Sequence, residues 1–264
     1  MRLSLEANLD YDFPEPADVL LAVEIAQMAD QHLVEDRLTV TTATPLAPVE
    51  GLHGIGRRTW TRGEGRFLVH YRGIVDVDRR APDLSGCAMI PLHDLPGDAI
   101  EYLLPSRYCR PDKFKSFAVE LFGELEGGAK VTAMADWIRD NMRYVPGSSD
   151  ERTTAEDSFL TREGICRDYA HVLIGFARAL DIPARMVSAY AWKLEPPDFH
   201  AVVEVYLDDC WHLVDPTGLA PIEGLVRIGV GRDAADISFM TIFGSANLVS
   251  QRVQVERIGG SNPD

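Results

Sequence analysis

The sequence predicts an α+β protein, because strand-like alternation comes first along the chain and helical spacing comes later. Residues 2–11 alternate apolar and polar side chains without a miss, which is typical of a half-buried strand. Similar strand signals recur up to residue 77, separated by clusters of Pro, Gly and Asp. Apolar spacing then becomes helical in residues 117–125 and 131–144. We therefore expect an N-terminal antiparallel β-sandwich, followed by helices packed on an antiparallel sheet.

The segment of residues 91–112 connects these two regions. It carries four prolines and little periodicity, which favours a connection along the surface. We therefore place an N-terminal β domain at residues 1–105 and a second domain at residues 106–264. The second domain continues with a third helix and then three strands, at residues 170–180, 184–191, 201–207 and 211–214. Residues 19–29 fit either a strand or a helix, and the pattern leaves that choice open.

The composition is that of an ordinary globular protein with a strongly acidic balance. Of the 264 residues, 46% are hydrophobic and 25% are charged, and the formal net charge is −15. This charge argues against nucleic acid and anionic lipid as partners, since both are themselves negative. The N-terminus lacks the basic and apolar stretches of a secretion signal, and no stretch has the roughly 20 apolar residues of a membrane-spanning helix. The sequence therefore predicts a cytoplasmic protein without a membrane partner.

One of the four cysteines stands out by its position. Cys87, Cys109 and Cys210 lack the short paired spacings of a zinc site and are expected to be inert thiols. Cys166 instead follows a glycine turn and directly precedes an apolar helical run. This position predicts a thiol at a helix N-terminus, where unpaired backbone N–H groups and the helix dipole favour thiolate over thiol. The same N–H groups could stabilise an oxyanion.

A nucleophilic thiol needs a base, and the base needs a partner that orients it. His200 begins one short apolar run and Asp215 closes the next, with Asp208 and Asp209 between the runs. Antiparallel pairing of the two runs in a hairpin would bring His200 beside Asp215. We expect Cys166 to lie across from this pair. Asp168, two residues into the helix, is expected to cap free N–H groups of the helix start instead of taking part in chemistry.

Four ordered runs then resemble the core of the bacterial transglutaminase-like superfamily: G-I-C-R-D-Y-A-H, D-I-P-A-R, F-H-A-V-V-E-V and V-D-P-T. The resemblance spans residues 130–244, and L-P-S-R-Y-C, G-R-D-A-A-D and the N-terminal β unit extend it. It implies a papain-like, transglutaminase-like catalytic core in which Cys166 is the nucleophile, His200 the general base and acid, and Asp215 the orienting carboxylate. Many members have a tryptophan two positions after the histidine, where this chain has Val202.

The second oxyanion donor is not fixed by a local motif. In the family it lies upstream of the cysteine, and Tyr144 is the candidate in this chain. The alternative for Tyr144 is a purely structural aromatic that closes the apolar face of the helix ending there.

The resemblance implies a cysteine-dependent acyl-transfer enzyme that acts on peptide or glutamine-type amides through a thioester, most simply by hydrolysis. The alternatives are a protein-crosslinking transglutaminase and a non-catalytic peptide-binding module with a vestigial triad. A metal hydrolase would need clustered ligands such as an H-E-x-x-H run, which the sequence lacks. We expect neither cofactor nor metal. The expected partner is a peptide or protein amide, and the acidic balance favours a cationic one.

Overall fold

The computed structural model describes residues 1–259, so the last five residues of the predicted second domain lie outside the described range. Its strands are β1 (Arg2–Leu21), β2 (Gln31–Val40), β3 (Ala47–Glu50), β4 (Arg57–Val77), β5 (Arg143–Tyr144), β6 (Glu163–Gly164), β7 (Ala184–Ala191), β8 (Phe199–Leu207), β9 (Cys210–Val214), β10 (Leu225–Gly231), β11 (Met240–Phe243) and β12 (Asn247–Arg257). Its α-helices are α1 (Gly97–Ile100), α2 (Lys115–Phe122), α3 (Gly127–Asn141), α4 (Ala155–Thr161), α5 (Cys166–Ala179) and α6 (Ala234–Ile237).

The first sheet has six antiparallel strands, with β1 and β4 at its centre. The predicted alternation in residues 2–11 is confirmed, since Leu3, Leu5 and Leu9 are all buried on one face. The strand continues to Leu21, and the helix alternative for residues 19–29 is wrong because the segment that follows β1 is irregular.

The last two strands of the chain return to this first sheet. Leu3 pairs with Arg257 of β12, and Leu21 pairs with Met240 of β11. The sheet therefore combines strands from both ends of the sequence. The predicted division into domains at residues 1–105 and 106–264 stays a prediction.

The second sheet has the order β10-β7-β8-β9 and is also antiparallel. Its Tyr190, Val226 and Ile228 share one core cluster with the apolar face of the first sheet. The predicted sandwich thus forms between the two sheets, and not within the first hundred residues. Strand alternation predicts that a face is buried, but it does not say which element covers that face.

Helix α5 is the central element of the other core cluster and packs against β7, β8, α3 and α4. Every residue from Asp168 to Ala179 is buried, and each large apolar side chain among them contributes about 1.5–3 kcal/mol to the free energy of unfolding. Phe114 packs so closely that a Cβ at Gly175 would lie 2.6 Å from its ring. This packing fixes the start of α5, where Cys166 lies. Antiparallel sheets with packed helices confirm the predicted α+β class.

A buried ionic network fixes β8 against its neighbours. Glu204 accepts from Arg185 Nε at 2.8 Å and from Arg227 Nε at 2.7 Å, and Arg227 also bonds Asp30, which precedes β2. Removing one member of such a network leaves an unpaired buried charge, at a cost of about 3–5 kcal/mol. The network therefore links β8, which contains His200, to the segment that leads into β2 of the first sheet. Within residues 1–259, no helix is both long enough and apolar enough to cross a membrane.

Candidate active site

Cys166 is the first residue of α5, as the glycine turn before it predicted. Its side chain is half-buried. Ile165 is extended, with φ −112° and ψ −175°, and its N–H donates to the fully buried Asp168 carboxylate at 2.8 Å. Ser149 and Arg167 donate to the same carboxylate, at 2.5 Å and 2.9 Å. The predicted capping role of Asp168 is confirmed, and these bonds hold the backbone on both sides of the thiol.

His200 and Asp215 meet at the end of the β8–β9 hairpin. Nε2 of His200 lies 3.0 Å from Oδ2 of Asp215, and both side chains are almost fully buried. Val203 pairs with Val214 in the antiparallel hairpin. Asp215, which directly follows Val214, therefore lies near the start of β8, where His200 is located. The structure therefore brings together the two residues that the hairpin pattern predicted to be neighbours.

The electrostatics of the pair favour an imidazolium–carboxylate arrangement. Burial opposes a charge on His200, but the hydrogen bond and charge of Asp215, together with the nearby Cys166 thiol, outweigh burial and raise its pKa to about 10. Burial likewise opposes the Asp215 carboxylate, yet the bonds from His200 and Thr217 lower its pKa. The pair is thus built to hold a proton on the imidazole at neutral pH.

The remaining nitrogen of His200, Nδ1, is not used by Asp215. Nδ1 is buried and completes no hydrogen bond with any part of the described chain. Cys166 is nevertheless close enough to His200 to raise the pKa of the imidazole. The thiol–imidazole contact therefore falls short of a fully formed hydrogen bond, as is common before substrate binds.

Tyr144 lies against the thiol because β5 and β6 pair in parallel. Tyr144 stands opposite Gly164 in this pair, and Val145 N donates to Gly164 O at 2.9 Å. Burial and the Cys166 thiol raise the pKa of the Tyr144 phenol, while the Cys166 backbone N–H opposes that rise. The phenol ring is still 42% exposed. A phenol and a backbone N–H thus converge beside the sulfur, which is the arrangement that an oxyanion needs.

Sequence reasoning missed the residues that hold Asp215. Thr217 donates to Oδ1 through its backbone N–H at 2.9 Å and through its hydroxyl at 2.7 Å. Ala220 N donates to Oδ2 at 3.2 Å. Thr217 belongs to the V-D-P-T run. A threonine after Asp-Pro is an ordinary turn residue, so the pattern did not indicate that Thr217 holds Asp215.

Other polar residues near the motifs have structural partners. His171 is a fully buried residue of α5, where burial lowers its pKa to about 3 and its Nε2 accepts from Ala234 N. Asp233 caps α6 by accepting from Ala235 N. Arg232 pairs with Asp236. None of these side chains joins the thiol, and no group of three or more metal-ligating side chains occurs in residues 1–259.

The other three cysteines differ from Cys166 in their surroundings. Burial raises the pKa of Cys109 to about 12, and burial together with nearby acidic side chains raises the pKa of Cys87 and Cys210. Cys210 does lie 3.0 Å from Nε2 of His212, a contact that the sequence did not predict. The same nitrogen lies 3.1 Å from the Leu207 carbonyl oxygen, which competes with the sulfur for it. Within residues 1–259, the Cys210–His212 contact lacks an anchoring carboxylate of the kind that Asp215 provides at His200.

The comparisons with known proteins indicate a family for this chain. The model of the transglutaminase-like superfamily core matches residues 115–216. A solved structure of a candidate cysteine protease from Cytophaga hutchinsonii superimposes with a TM-score of 0.91 at 35% identity, covering 99% of this chain and 92% of that one.

Curated relatives cover less of the chain. An uncharacterized protein of Mycobacterium leprae is 31% identical over 117 residues, which are 41% of this chain and 42% of the relative. An uncharacterized protein of Mycobacterium bovis is 28% identical over 119 residues, 39% and 38% of the two lengths. This chain thus spans about two fifths of the length of these curated relatives.

An α+β core with a thiol at a helix start beside a buried histidine–carboxylate pair has the arrangement that cysteine-dependent enzymes use. With the family match and the full-length structural likeness, the assignment becomes more specific. The chain belongs to the transglutaminase-like superfamily.

Proposed function

We propose that this protein is a cysteine-dependent acyl-transfer enzyme that hydrolyses peptide or glutamine-type amides through a thioester on Cys166. The observation that carries the proposal is the buried His200–Asp215 contact of 3.0 Å, which leaves Nδ1 of the imidazole for the thiol. Nδ1 of the structural His171 is also without a partner within residues 1–259, but its other nitrogen accepts from a backbone N–H, whereas His200 has a buried carboxylate on one nitrogen and a thiol nearby.

In the acylation step, the thiolate of Cys166 attacks the carbonyl carbon of the amide. The backbone N–H of Cys166 and the hydroxyl of Tyr144 donate to the oxyanion of the tetrahedral intermediate. The imidazolium of His200 gives its proton to the amide nitrogen as the C–N bond breaks. An acyl thioester on Cys166 and a free amine, or ammonia, result.

In the deacylation step, water attacks the thioester and His200 removes the proton of that water. The acid is released and the thiolate is restored. Two features favour water over an amine. The Tyr144 ring beside the sulfur is 42% exposed, so solvent reaches the site. Val202 stands where many family members have tryptophan, so this position contributes no indole to screen the site.

The rim of the site favours a cationic substrate. Asp198 is exposed two residues before His200 and is held through Oδ1 by Phe199 N at 2.7 Å and Gln251 Nε2 at 2.5 Å. Its charge contributes to the raised pKa of Tyr144, which places Asp198 near the phenol. A fixed carboxylate at the rim attracts a positive side chain next to the scissile amide. The cytoplasmic location stays a prediction.

The experiment is a peptide-library screen with the purified protein that measures cleavage, ammonia release and amine incorporation separately. Cleavage or ammonia release that disappears in Cys166→Ala and persists in the matched control Cys210→Ala supports the proposal. Amine incorporation at the expense of hydrolysis would assign crosslinking instead. Saturable peptide binding without any turnover, equal in wild type and Cys166→Ala, would identify a binding module and overturn the proposed activity.

A further inference from the structure

A second concavity shares one residue with the candidate active site. This open cavity of about 460 Å³ is lined by Asp215 but not by Cys166, His200 or Tyr144. Its walls come from one side of α3 and from residues 81–84, 213–215, 218 and 220–223. The volume lies within the range of small-molecule sites in proteins. The chemistry proposed for Cys166 makes no use of this space.

The charges on the cavity wall favour a cation. Asp83, Asp136 and Glu223 line it together with one cation, Arg139, which is already paired with Asp136. Within residues 1–259, Asp83 accepts hydrogen bonds from Ser85, and neither Asp83 nor Glu223 forms a salt bridge. Two carboxylates are therefore left without a cation partner above a wall that is mostly apolar.

The cavity is connected to Asp215 through the segment of residues 217–220. Gly218 and Ala220 line the cavity, and the same segment donates to the Asp215 carboxylate through Thr217 and Ala220. Gly218 has φ +66°, and a Cβ at this position would lie 3.1 Å from Cδ of Arg139. A molecule in the cavity would therefore touch the segment that positions the carboxylate.

We propose that this cavity is a second binding site, for an alkylammonium group supplied by a free amine or by a lysine side chain. The ammonium group interacts with Asp83 and Glu223, and the alkyl chain covers the apolar wall near Leu84 and Ala135. A ligand in the cavity contacts Gly218 and Ala220, and Ala220 donates to the Asp215 carboxylate. Occupancy of the cavity and the hydrogen bonding between Asp215 and His200 therefore influence each other.

Binding is tested by isothermal titration of the full chain with hexylammonium chloride, with hexanol as the uncharged probe. We expect saturable hexylammonium binding with a Kd of about 1 mM and weaker binding of hexanol. Cys210→Ala, outside both the cavity and the candidate active site, should bind hexylammonium as the wild type does. Since no turnover is measured, failure of this test leaves the proposed hydrolysis untouched, and failure of hydrolysis leaves the binding result standing.

Charge and bulk variants locate the site. Glu223→Gln should weaken hexylammonium binding by about fivefold, whereas Glu120→Gln on the exposed face of α2 should not. Thr132→Trp should fill the cavity and abolish binding, whereas Thr132→Ser should preserve it. Equal affinities of wild type and Glu223→Gln would overturn the proposal even if Thr132→Trp fails to fold. So would equal binding of hexanol and hexylammonium.

A comparison of Nα-acetyl-lysine methylamide with hexylammonium identifies the source of the alkylammonium group. Tighter binding of the lysine derivative supports a peptide side chain as the natural ligand, and tighter binding of hexylammonium supports a free amine. If neither probe saturates the wild-type protein below about 10 mM, the cavity is not such a site.

Discussion

The hydroxyl of Thr217 donates a 2.7 Å hydrogen bond to Oδ1 of Asp215, while the other carboxylate oxygen of Asp215 meets His200. The backbone N–H of Thr217 donates to the same Oδ1, at 2.9 Å. Thr217 holds Oδ1 through two bonds and, with Ala220 N on Oδ2, orients the carboxylate toward the imidazole. Thr217 acts through Asp215 and is a positioning residue.

Replacement of Thr217 by Val removes the hydroxyl bond but keeps the shape of the side chain. We expect the second-order rate of Cys166 alkylation by iodoacetamide to fall by about tenfold to a hundredfold at neutral pH, since a bond to a charged group is lost. A less firmly held carboxylate also stabilises the imidazolium less, and with it the thiolate, so the rising limb of the pH–rate profile of alkylation should move to higher pH. Thr217→Ser should restore both properties. An unchanged profile in Thr217→Val would show that the backbone N–H alone suffices.

Replacement of Tyr144 by Phe tests the oxyanion role. The hydroxyl beside Cys166 is removed and the half-exposed ring is kept, so the stability of the fold should hardly change. We expect the rate of acylation by p-nitrophenyl acetate to fall by about a hundredfold, the usual effect of losing one oxyanion donor. Tyr169→Phe is the matched control, because its ring lies 5.9 Å from that of Tyr144. Equal acylation rates in Tyr144→Phe and Tyr169→Phe would leave Tyr144 with its structural role.

The raised pKa of His200 predicts a pH-dependent contribution to stability. The imidazole titrates near 6.5 in the unfolded chain and at about 10 in the folded one. Its contribution is therefore complete below about pH 6.5 and is lost as pH rises through about 10. The excess free energy of unfolding of wild type over His200→Gln should be largest near pH 6 and decline up to about pH 10.

Urea unfolding at a series of pH values measures this difference. His93→Gln is the control, since the side chain of His93 is 84% exposed. A difference between wild type and His200→Gln that stayed constant, or grew, with rising pH would contradict the proposed imidazolium–carboxylate pair.

The parts of the fold that depend on local pattern were predictable from the sequence. The strand from Arg2 followed from alternation, and the position of Cys166 at a helix start followed from the glycine turn and the apolar run. The pairing of β1 with β12 was not predictable, because Leu3 and Arg257 are brought together by tertiary packing and no local signal records it. In β12 most side chains are exposed, so its strand pattern is weak.

The same division applies to the site. The proximity of His200 and Asp215 was predictable because both residues lie at the open end of one hairpin. Tyr144 could be named only as a candidate, since its place beside Cys166 depends on the parallel pairing of the two short strands β5 and β6. Thr217 was missed because a side-chain contact back to Asp215 depends on the conformation of the turn, which residue type alone does not determine.

The pairing of Cys166 with His200 is tested most directly by site-resolved acylation with p-nitrophenyl acetate at neutral pH, followed by peptide mass spectrometry of all four cysteines. We expect Cys166 to be acetylated much faster than Cys87, Cys109 and the exposed Cys210, and His200→Ala to abolish this advantage. Acetylation of Cys166 no faster than that of Cys210, or an equal rate in His200→Ala, would contradict this pairing.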